Sequence, residues 1–198
     1  MDARTSEETR NEQVIRTLYS LAEAKSKDTP KFVSLFTNDG YFYDVAAGKK
    51  YYGRDIGVTV DVYATAFPDM HRELYDLHTI GDLVLMELSL NGTHKGDLVL
   101  SPGTIPPTGK TMHAPCCDVF HLKDGKVRSF HCYVAVPILL EQLHAAHLAE
   151  LDDGGKLVMA GPLPERSGGL IVLRTGSVAE AKAIADEDPL VRGVDNRH

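Results

Sequence analysis

The stretch DVFHLKDGKVRSFHCYV, residues 118–134, decides how the rest of the chain is interpreted. It contains an Asp-Gly dipeptide at residues 124–125, with apolar and polar side chains alternating on both sides. Asp-Gly favours the two-residue turn of a β-hairpin, and alternation is typical of a strand with one buried face. The stretch therefore predicts two antiparallel strands that present one face to the protein core.

The charges near the turn indicate which face is wet. One face carries four basic side chains near the turn, namely His121, Lys123, Lys126 and Arg128. Because a half-buried sheet turns its charged face to water, the opposite face is expected to point inward. In a regular ladder, that inward face places Asp118 directly opposite His131, with their Cβ atoms roughly 5 Å apart.

The Asp118–His131 pair has two interpretations. A buried carboxylate is unfavourable unless it is paired, and a neutral imidazole beside it could take up or release a proton near neutral pH. The pair is therefore either a catalytic or ligand-contacting group, or a core hydrogen bond with no chemistry. A one-residue register slip from a bulged turn would instead put Cys132 opposite Asp118.

The same register makes the outer face apolar farther from the turn. That face carries Phe130, Cys132, Val134 and Val136. An apolar outer face predicts a partner surface, most simply that of a homodimer.

The rest of the chain alternates helices with long strands. Helical patterns cover residues 6–28, 29–40, 54–67 and 137–151, a first hairpin covers 41–53, and strands cover 72–80 and 83–96. This order predicts an α+β domain in which helices pack on one face of a curved, mostly antiparallel sheet. Such a sheet leaves a concave pocket at one end.

The pattern changes after LDDGG at residues 151–155. KLVMAG and GLIVLRTG are typical of two strands, and SVAEAKAIADED is typical of a capped helix. This piece is too small for its hydrophobic core to stabilise a separate domain. We expect it to pack on the first domain or to pair with another chain.

Composition limits the class of protein. The 198 residues are 43% hydrophobic and carry a formal net charge of -7, which argues against nucleic acid and anionic membranes as partners. The polar start and the lack of a long apolar run predict a soluble, cytoplasmic protein. Three cysteines make no disulfide framework and are interpreted as small buried side chains.

Other candidate site residues are scattered along the chain. Asp44 follows two tyrosines on the first hairpin and is either a group at the pocket mouth or a turn residue. His94 lies in GTHKG at a strand end and is either a pocket or a loop residue. The histidine spacing matches no metal motif, so no metal is predicted. There is also no phosphate loop and no nucleophile elbow.

Three stretches resemble one family. FPDMHRELYDLHTIGDLVLMELSLNGTHKG, IPPTGKTMHAPCCDVFHLKDGKV and LLEQL resemble the SnoaL-like polyketide cyclases, also called ester cyclases. These belong to the nuclear transport factor 2-like group, with the ketosteroid isomerases. The resemblance implies a domain at residues 8–143 with a cone-shaped α+β barrel. It also implies a dimer, an apolar pocket, no cofactor, and ring closure by intramolecular aldol condensation.

The family's polar positions are only partly retained here. Where the catalytic cyclases carry a His before the Asp-Gly-Lys turn, this chain has Asp118, and where they carry an Asp after it, this chain has Cys132 beside His131. The expected catalytic residues are therefore Asp118, His131 and Asp44. The expected substrate-binding residues are Tyr19, Tyr43, His94, Cys132 and Tyr133.

The C-terminal piece, residues 144–198, is similar to YCII-related domains, which are small ferredoxin-like α+β units that dimerise. That resemblance implies a functional pair formed by His147 and by Asp188, which precedes Pro189. The piece lacks the first strand and most of the last, and an incomplete sheet has exposed edges. We therefore expect a partial segment that serves as an appendage or a dimerising element.

Three functional hypotheses follow. The first is a cofactor-independent enzyme that transfers a proton on an apolar, carbonyl-containing metabolite, in a cyclisation, isomerisation or hydration. The second is a non-catalytic protein that holds a small ligand in the same pocket. The third is an assembly module in which the two parts only dimerise.

Overall fold

The computed structural model describes residues 5–100, 103–162, 169–188 and 191 of the chain. The helices are α1 Ser6–Ser20, α2 Thr29–Ser34, a 3-10 helix Gly53–Gly57, α3 Val58–Ala66, α4 Val136–Asp153 and α5 Val178–Glu187. The strands are β1 Phe36–Asp44, β2 Lys49–Tyr52, β3 His71–Ile80, β4 Leu83–Thr93, β5 Leu98–Leu100, β6 Gly103–Ile105, β7 Thr111–Lys123, β8 Lys126–Val134, β9 Leu157–Pro162 and β10 Gly169–Leu173. The predicted α+β class is confirmed.

The helix α1 begins at a capping box. The Thr5 side chain accepts a hydrogen bond from the Glu8 backbone N–H, and the Glu8 carboxylate accepts one from the Thr5 backbone. This reciprocal cap satisfies donors that a helix start would otherwise leave unpaired. The helix then buries Ile15, Leu18 and Tyr19 on one face, which packs against β3 and β4.

The second helix is shorter than the pattern predicts. Its expected span reached residue 40, but α2 ends at Ser34 and the chain enters β1 at Phe36. Pairing with β8 overrides the local helical pattern, because the Val127 N–H donates to the Leu35 carbonyl at 2.9 Å. The strand then turns Phe42 and Asp44 toward the helices.

Six strands form the main sheet in the order β2-β1-β8-β7-β4-β3. Neighbours are antiparallel except β1 and β8, which are parallel. The sheet is therefore mixed, and β7 and β8 lie at its centre. Helices α1 and α3 cover its inner face, and α4 packs along β7.

The hairpin register corrects the prediction from the sequence. Asp124 and Gly125 both have positive φ, as a two-residue turn of this type requires. The ladder shifts between His121 and Leu122, so the extra residue on β8 forms a bulge beyond the turn. As a result Asp118 pairs with Cys132, which is the alternative register considered for a bulged turn, and the predicted Asp118–His131 pair is wrong.

The C-terminal segment continues from α4, which runs through the predicted boundary at residues 143 and 144. Strands β9 and β10 pair in an antiparallel manner, and β9 packs against α4. The Ser177 side chain caps α5 by accepting a hydrogen bond from the Glu180 N–H. Within the described ranges, no helix is long and apolar enough to cross a membrane.

Candidate active site

A cavity of about 680 Å³ lies between the inner face of the sheet and the helices. Its size falls in the range of small-ligand pockets, roughly 300–1,000 Å³. Its wall is mainly apolar and includes Leu18, Phe42, Val60, Leu90, Phe130 and Leu140. Its polar lining includes Tyr19, Asp44, Tyr63, Arg72, Cys116, Asp118 and Cys132. An apolar cavity with a few convergent polar groups is the usual form of a small-molecule site.

Asp118 is the buried carboxyl group of this cavity. The alternation of β7 turns it inward, where it is 2% exposed. Its Oδ2 atom accepts a hydrogen bond from the Tyr19 hydroxyl at 2.7 Å. Its Oδ1 atom accepts one from the Cys116 thiol at 3.2 Å. The carboxyl group is thus held by α1 on one side and by its own strand on the other.

Burial dominates the electrostatics of Asp118. Loss of hydration raises the pKa of Asp118. Hydrogen bonds from Tyr19, Cys116 and Cys132 and the charge of Arg72 oppose this rise without cancelling it. Burial, together with the nearby Asp118 charge, also raises the pKa of Tyr19 well above its usual value. Tyr19 therefore remains a hydrogen-bond donor, and Asp118 is able to hold a proton at a pH where a surface aspartate would be ionised.

Two thiols lie beside this carboxyl group. The Cys116 and Cys132 sulfur atoms are 3.6 Å apart. The hydrogen bond with Cys116, followed by burial and the charge of Asp118, raises the pKa of Cys132 well above its usual value. The Cys116 sulfur, the Cys132 sulfur and an Asp118 oxygen all lie within 4.8 Å of one another, so this cluster is the candidate position for a metal ion.

His131, Tyr43 and Tyr133 lie outside the cavity lining. The His131 Nε2 atom is 3.0 Å from the Tyr41 hydroxyl, and the Tyr43 ring meets the His131 ring edge-on at 5.4 Å. Tyr133 is 47% exposed. For His131 and Tyr133 the bulge on β8 is the physical reason, because one extra residue moves every following side chain of that strand to the opposite face. Tyr43 lies on β1, where it is the neighbour of His131. The prediction that these three residues face the pocket is wrong.

The same shift overturns the predicted apolar outer face. Four side chains expected on that face instead line the cavity, namely Phe130, Cys132, Val134 and Val136. They form part of the pocket wall rather than a partner surface. The apolar outer face thus no longer supports a homodimer. The homodimer stays a prediction that rests on the family resemblance alone.

Asp44 and His94 lie in different surroundings. Asp44 lines the cavity, and its Oδ1 atom also accepts a hydrogen bond from the Ala47 N–H at 3.0 Å, as a turn residue does. His94 is buried away from the lining, with its ring 5.2 Å from that of Phe67. Its Nδ1 atom accepts the Thr108 N–H at 3.3 Å, which ties the loop before β7 to the end of β4.

The lining residues that the sequence did not predict as site residues include Tyr63, Arg72 and Cys116. Burial raises the pKa of Tyr63, so its hydroxyl keeps its proton. Arg72 donates through its guanidinium to the Ala22 carbonyl, which holds a positive charge at the cavity wall. Cys116 could have been found, since it shares the inward face of β7 with Asp118. Arg72 gave no such signal.

In the C-terminal segment the structure brings His144 to Asp188. The His144 Nδ1 atom lies 2.7 Å from the Asp188 Oδ1 atom, and Asp188 is buried. The predicted residue His147 lies three positions farther along α4, and its buried Nε2 atom has no hydrogen-bond partner among the described residues. Pro189, named with the predicted pair, lies outside the described residues.

Comparison with protein families gives two matches. Residues 12–143 match the SnoaL-like polyketide cyclase family model, which covers more than half of the chain. Residues 139–197 match the YCII-related domain model. The two matches overlap within α4. The comparison with curated proteins finds no match.

Solved structures share the fold at low sequence identity. A candidate SnoaL-like polyketide cyclase from Jannaschia sp. CCS1 aligns with a TM-score of 0.62 at 18% identity, over 72% of this chain and 97% of that one. A protein with a ketosteroid isomerase-like fold from Catenulispora acidiphila, in complex with trimethylamine, aligns with a TM-score of 0.53 at 20% identity. That alignment covers 65% of this chain and 90% of the other. IdmH, a candidate polyketide cyclase from Streptomyces antibioticus, aligns with a TM-score of 0.55 at 22% identity. That alignment covers 67% of this chain and 97% of the other. The predicted nuclear transport factor 2-like architecture is thereby confirmed.

Proposed function

Because the chain belongs to the SnoaL-like polyketide cyclase family, we propose that its cavity binds a small apolar carbonyl compound and that Asp118 moves a proton on it. The observation that carries the proposal is the position of Asp118, a buried carboxyl group on the wall of an apolar cavity. A carboxyl group whose pKa is raised toward the working pH is suited to take up a proton and to return it. His131 has no part in this proposal.

The proposed step begins with removal of a proton from the carbon next to the substrate carbonyl. The Asp118 Oδ1 atom is the acceptor, since it is held by the weak donor Cys116 at 3.2 Å, whereas the Tyr19 hydroxyl holds Oδ2 at 2.7 Å. The carbon–hydrogen electron pair becomes the enolate. The enolate then attacks a second carbonyl in the same molecule to close a ring, or is reprotonated elsewhere in an isomerisation. Asp118 returns its proton to the product.

Two further groups of the lining suit the charge that develops on the substrate oxygen. Arg72 places a fixed positive charge at the wall, and Tyr63 offers a protonated hydroxyl. Donors that are already in place in a water-poor cavity stabilise an enolate more than they stabilise the neutral ketone. Asp44, at the end of β1, would orient the polar end of the substrate.

The alternative is a protein that binds the same ligand without turnover. It is favoured by one observation, that both Asp118 oxygens already accept hydrogen bonds from Tyr19 and Cys116 within the protein. A satisfied buried carboxyl group has no need of a catalytic role. The homodimer also stays a prediction, which light scattering of the whole chain in solution would check.

The experiment is hydrogen exchange at carbon. A panel of bicyclic and tricyclic ketones is incubated with the chelator-treated protein in D2O, and deuterium incorporation next to the carbonyl is followed by NMR. Protein-catalysed incorporation into at least one ketone is expected. Asp118→Asn should lower its rate by at least about 100-fold, the lower end of general acid–base contributions.

The matched control is Glu87→Gln. Glu87 lies on β4 next to β7, but it pairs with Cys117 and faces the opposite side of the sheet from Asp118. Its replacement should leave the exchange rate unchanged. Binding of a ketone without any exchange would support the binding protein instead, and equal rates for wild type and Asp118→Asn would refute the role of Asp118.

A further inference from the structure

Three potential metal ligands converge on the wall of the cavity. The Cys116 sulfur lies 3.6 Å from the Cys132 sulfur and 3.2 Å from the Asp118 Oδ1 atom. Two thiols and a carboxylate are ligands that zinc accepts. The three residues come from the adjacent strands β7 and β8, which are the centre of the sheet.

The spacing suits a shared metal ion better than a disulfide. Cys132 stands opposite Asp118, and Cys116 stands opposite Val134, so the two cysteines are diagonal neighbours. Diagonal pairs have Cα atoms roughly 7–8 Å apart, whereas a disulfide needs less than about 7 Å. Two sulfurs each about 2.3 Å from a tetrahedral zinc would lie about 3.8 Å apart, which is close to the 3.6 Å observed.

Tyr19 would support such an ion indirectly. Its hydroxyl holds the Asp118 Oδ2 atom at 2.7 Å and leaves Oδ1 directed at the thiols. Metal-binding carboxylates are commonly oriented by a hydrogen bond of this kind. Arg72, on the same cavity wall, would partly balance the negative charge of three anionic ligands.

We propose that Cys116, Asp118 and Cys132 form a binding site for one Zn²⁺ ion whose fourth coordination position opens to the cavity. Binding releases the thiol protons to solvent and changes no oxidation state. Binding of the ion does not depend on turnover, whereas its effect on the active site rests on the proposed function. A bound ion occupies the oxygen atom that would accept the substrate proton, so zinc inhibits the proposed proton transfer.

The test uses Co²⁺ as a spectroscopic probe in place of zinc. The full chain is reduced, treated with chelator and titrated with Co²⁺. Wild type should show thiolate-to-cobalt charge-transfer absorption that saturates at one ion per chain and disappears when Zn²⁺ is added. Absence of this absorption in wild type would overturn the proposal without the need for any variant.

Single cysteine variants locate the site. Cys116→Ser and Cys132→Ser should each lower the Co²⁺ affinity by at least about 10-fold, and Tyr19→Phe by about 10–100-fold. The matched control is Cys117→Ser, because Cys117 adjoins both Cys116 and Asp118 in sequence but is exposed on the other face. Full affinity in Cys132→Ser, or lost affinity in Cys117→Ser, would contradict the assignment.

The two proposals fail separately. Deuterium exchange by the chelator-treated protein reports on proton transfer, whereas cobalt absorption reports on the ion alone. Exchange without absorption overturns only the metal site. Absorption without exchange overturns the proposed activity, and with it the inhibition, but not the metal site. Zinc that binds but leaves exchange unaffected would overturn the inhibition.

Discussion

Replacing Asp118 by asparagine should make the stability of the metal-free protein less dependent on pH. Burial raises the pKa of Asp118 in the folded chain above its unfolded value of about 3.9. The folded state therefore binds the carboxyl proton more tightly than the unfolded state does. The stability that this proton contributes is fully present below pH about 4 and is lost as the pH rises through the folded pKa.

The magnitude follows from the linkage of one proton. Relative to Asp118→Asn, the free energy of unfolding of wild type should fall by at most about 1.4 kcal/mol per pH unit as the pH rises from about 4. The fall ends at the folded pKa of Asp118. Asparagine keeps an acceptor for Tyr19 but leaves the Cys116 thiol poorly paired, at a cost of about 1–3 kcal/mol. That cost does not depend on pH. It therefore shifts the unfolding free energy of Asp118→Asn by the same amount at every pH and leaves its slope against pH unchanged.

The assay is urea unfolding of both proteins in chelator at half-unit pH steps between pH 4 and 8. The difference in unfolding free energy between Asp118→Asn and wild type should rise with pH and then become constant. Glu87→Gln is the matched control, because it removes a carboxyl group from the exposed face of the neighbouring strand β4. A difference for Asp118→Asn that is flat, or that falls with pH, would refute the raised pKa and with it the reasoning from burial.

Three other changes have expected outcomes. Tyr19→Phe should lower the free energy of urea unfolding by about 1–3 kcal/mol, because it leaves the buried Asp118 carboxyl with one donor fewer; a loss under about 0.5 kcal/mol would contradict this. Gly96→Ala should lower the free energy of unfolding by about 1–3 kcal/mol, because the new Cβ would overlap the Thr65 carbonyl oxygen, and an unchanged melting temperature would contradict the tight packing. Burial lowers the pKa of His94, so wild type should lose stability as the pH falls below about 6.5. His94→Gln should lack that loss of stability. Parallel curves of unfolding free energy against pH for the variant and wild type would contradict the lowered pKa of His94.

The fold could be predicted because its determinants are local. The helical spacing of α1, the Asp-Gly turn and the alternation of β7 each correspond to an element of the structure. The end of α2 could not be predicted in this way. The chain from Phe36 onward is a strand because β8 pairs with it, and that pairing joins residues about 90 positions apart.

The site was predicted on β7 but only in part on β8, where Cys132 was expected in the pocket together with His131 and Tyr133, and the difference has a single reason. Asp118 lies on β7, whose alternation runs unbroken up to the bulge near the turn. On β8 the bulge exchanges the two faces, so Cys132 enters the cavity and His131 leaves it. Nothing in the sequence between the turn and Arg128 marks that bulge, because a two-residue turn and an extra residue beyond it are separate features. The position of Arg72 in the cavity wall could not be predicted either, since it depends on which face of β3 is turned toward the helices.

The most direct test of the account is a crystal structure of the metal-free protein with a bound ketone that supports deuterium exchange. The account predicts that the carbon next to the carbonyl lies beside the Asp118 Oδ1 atom, with the carbonyl oxygen directed toward Arg72 or Tyr63. A ketone bound in the cavity with its carbonyl group away from Asp118, or bound on the outer face beside His131, would contradict it.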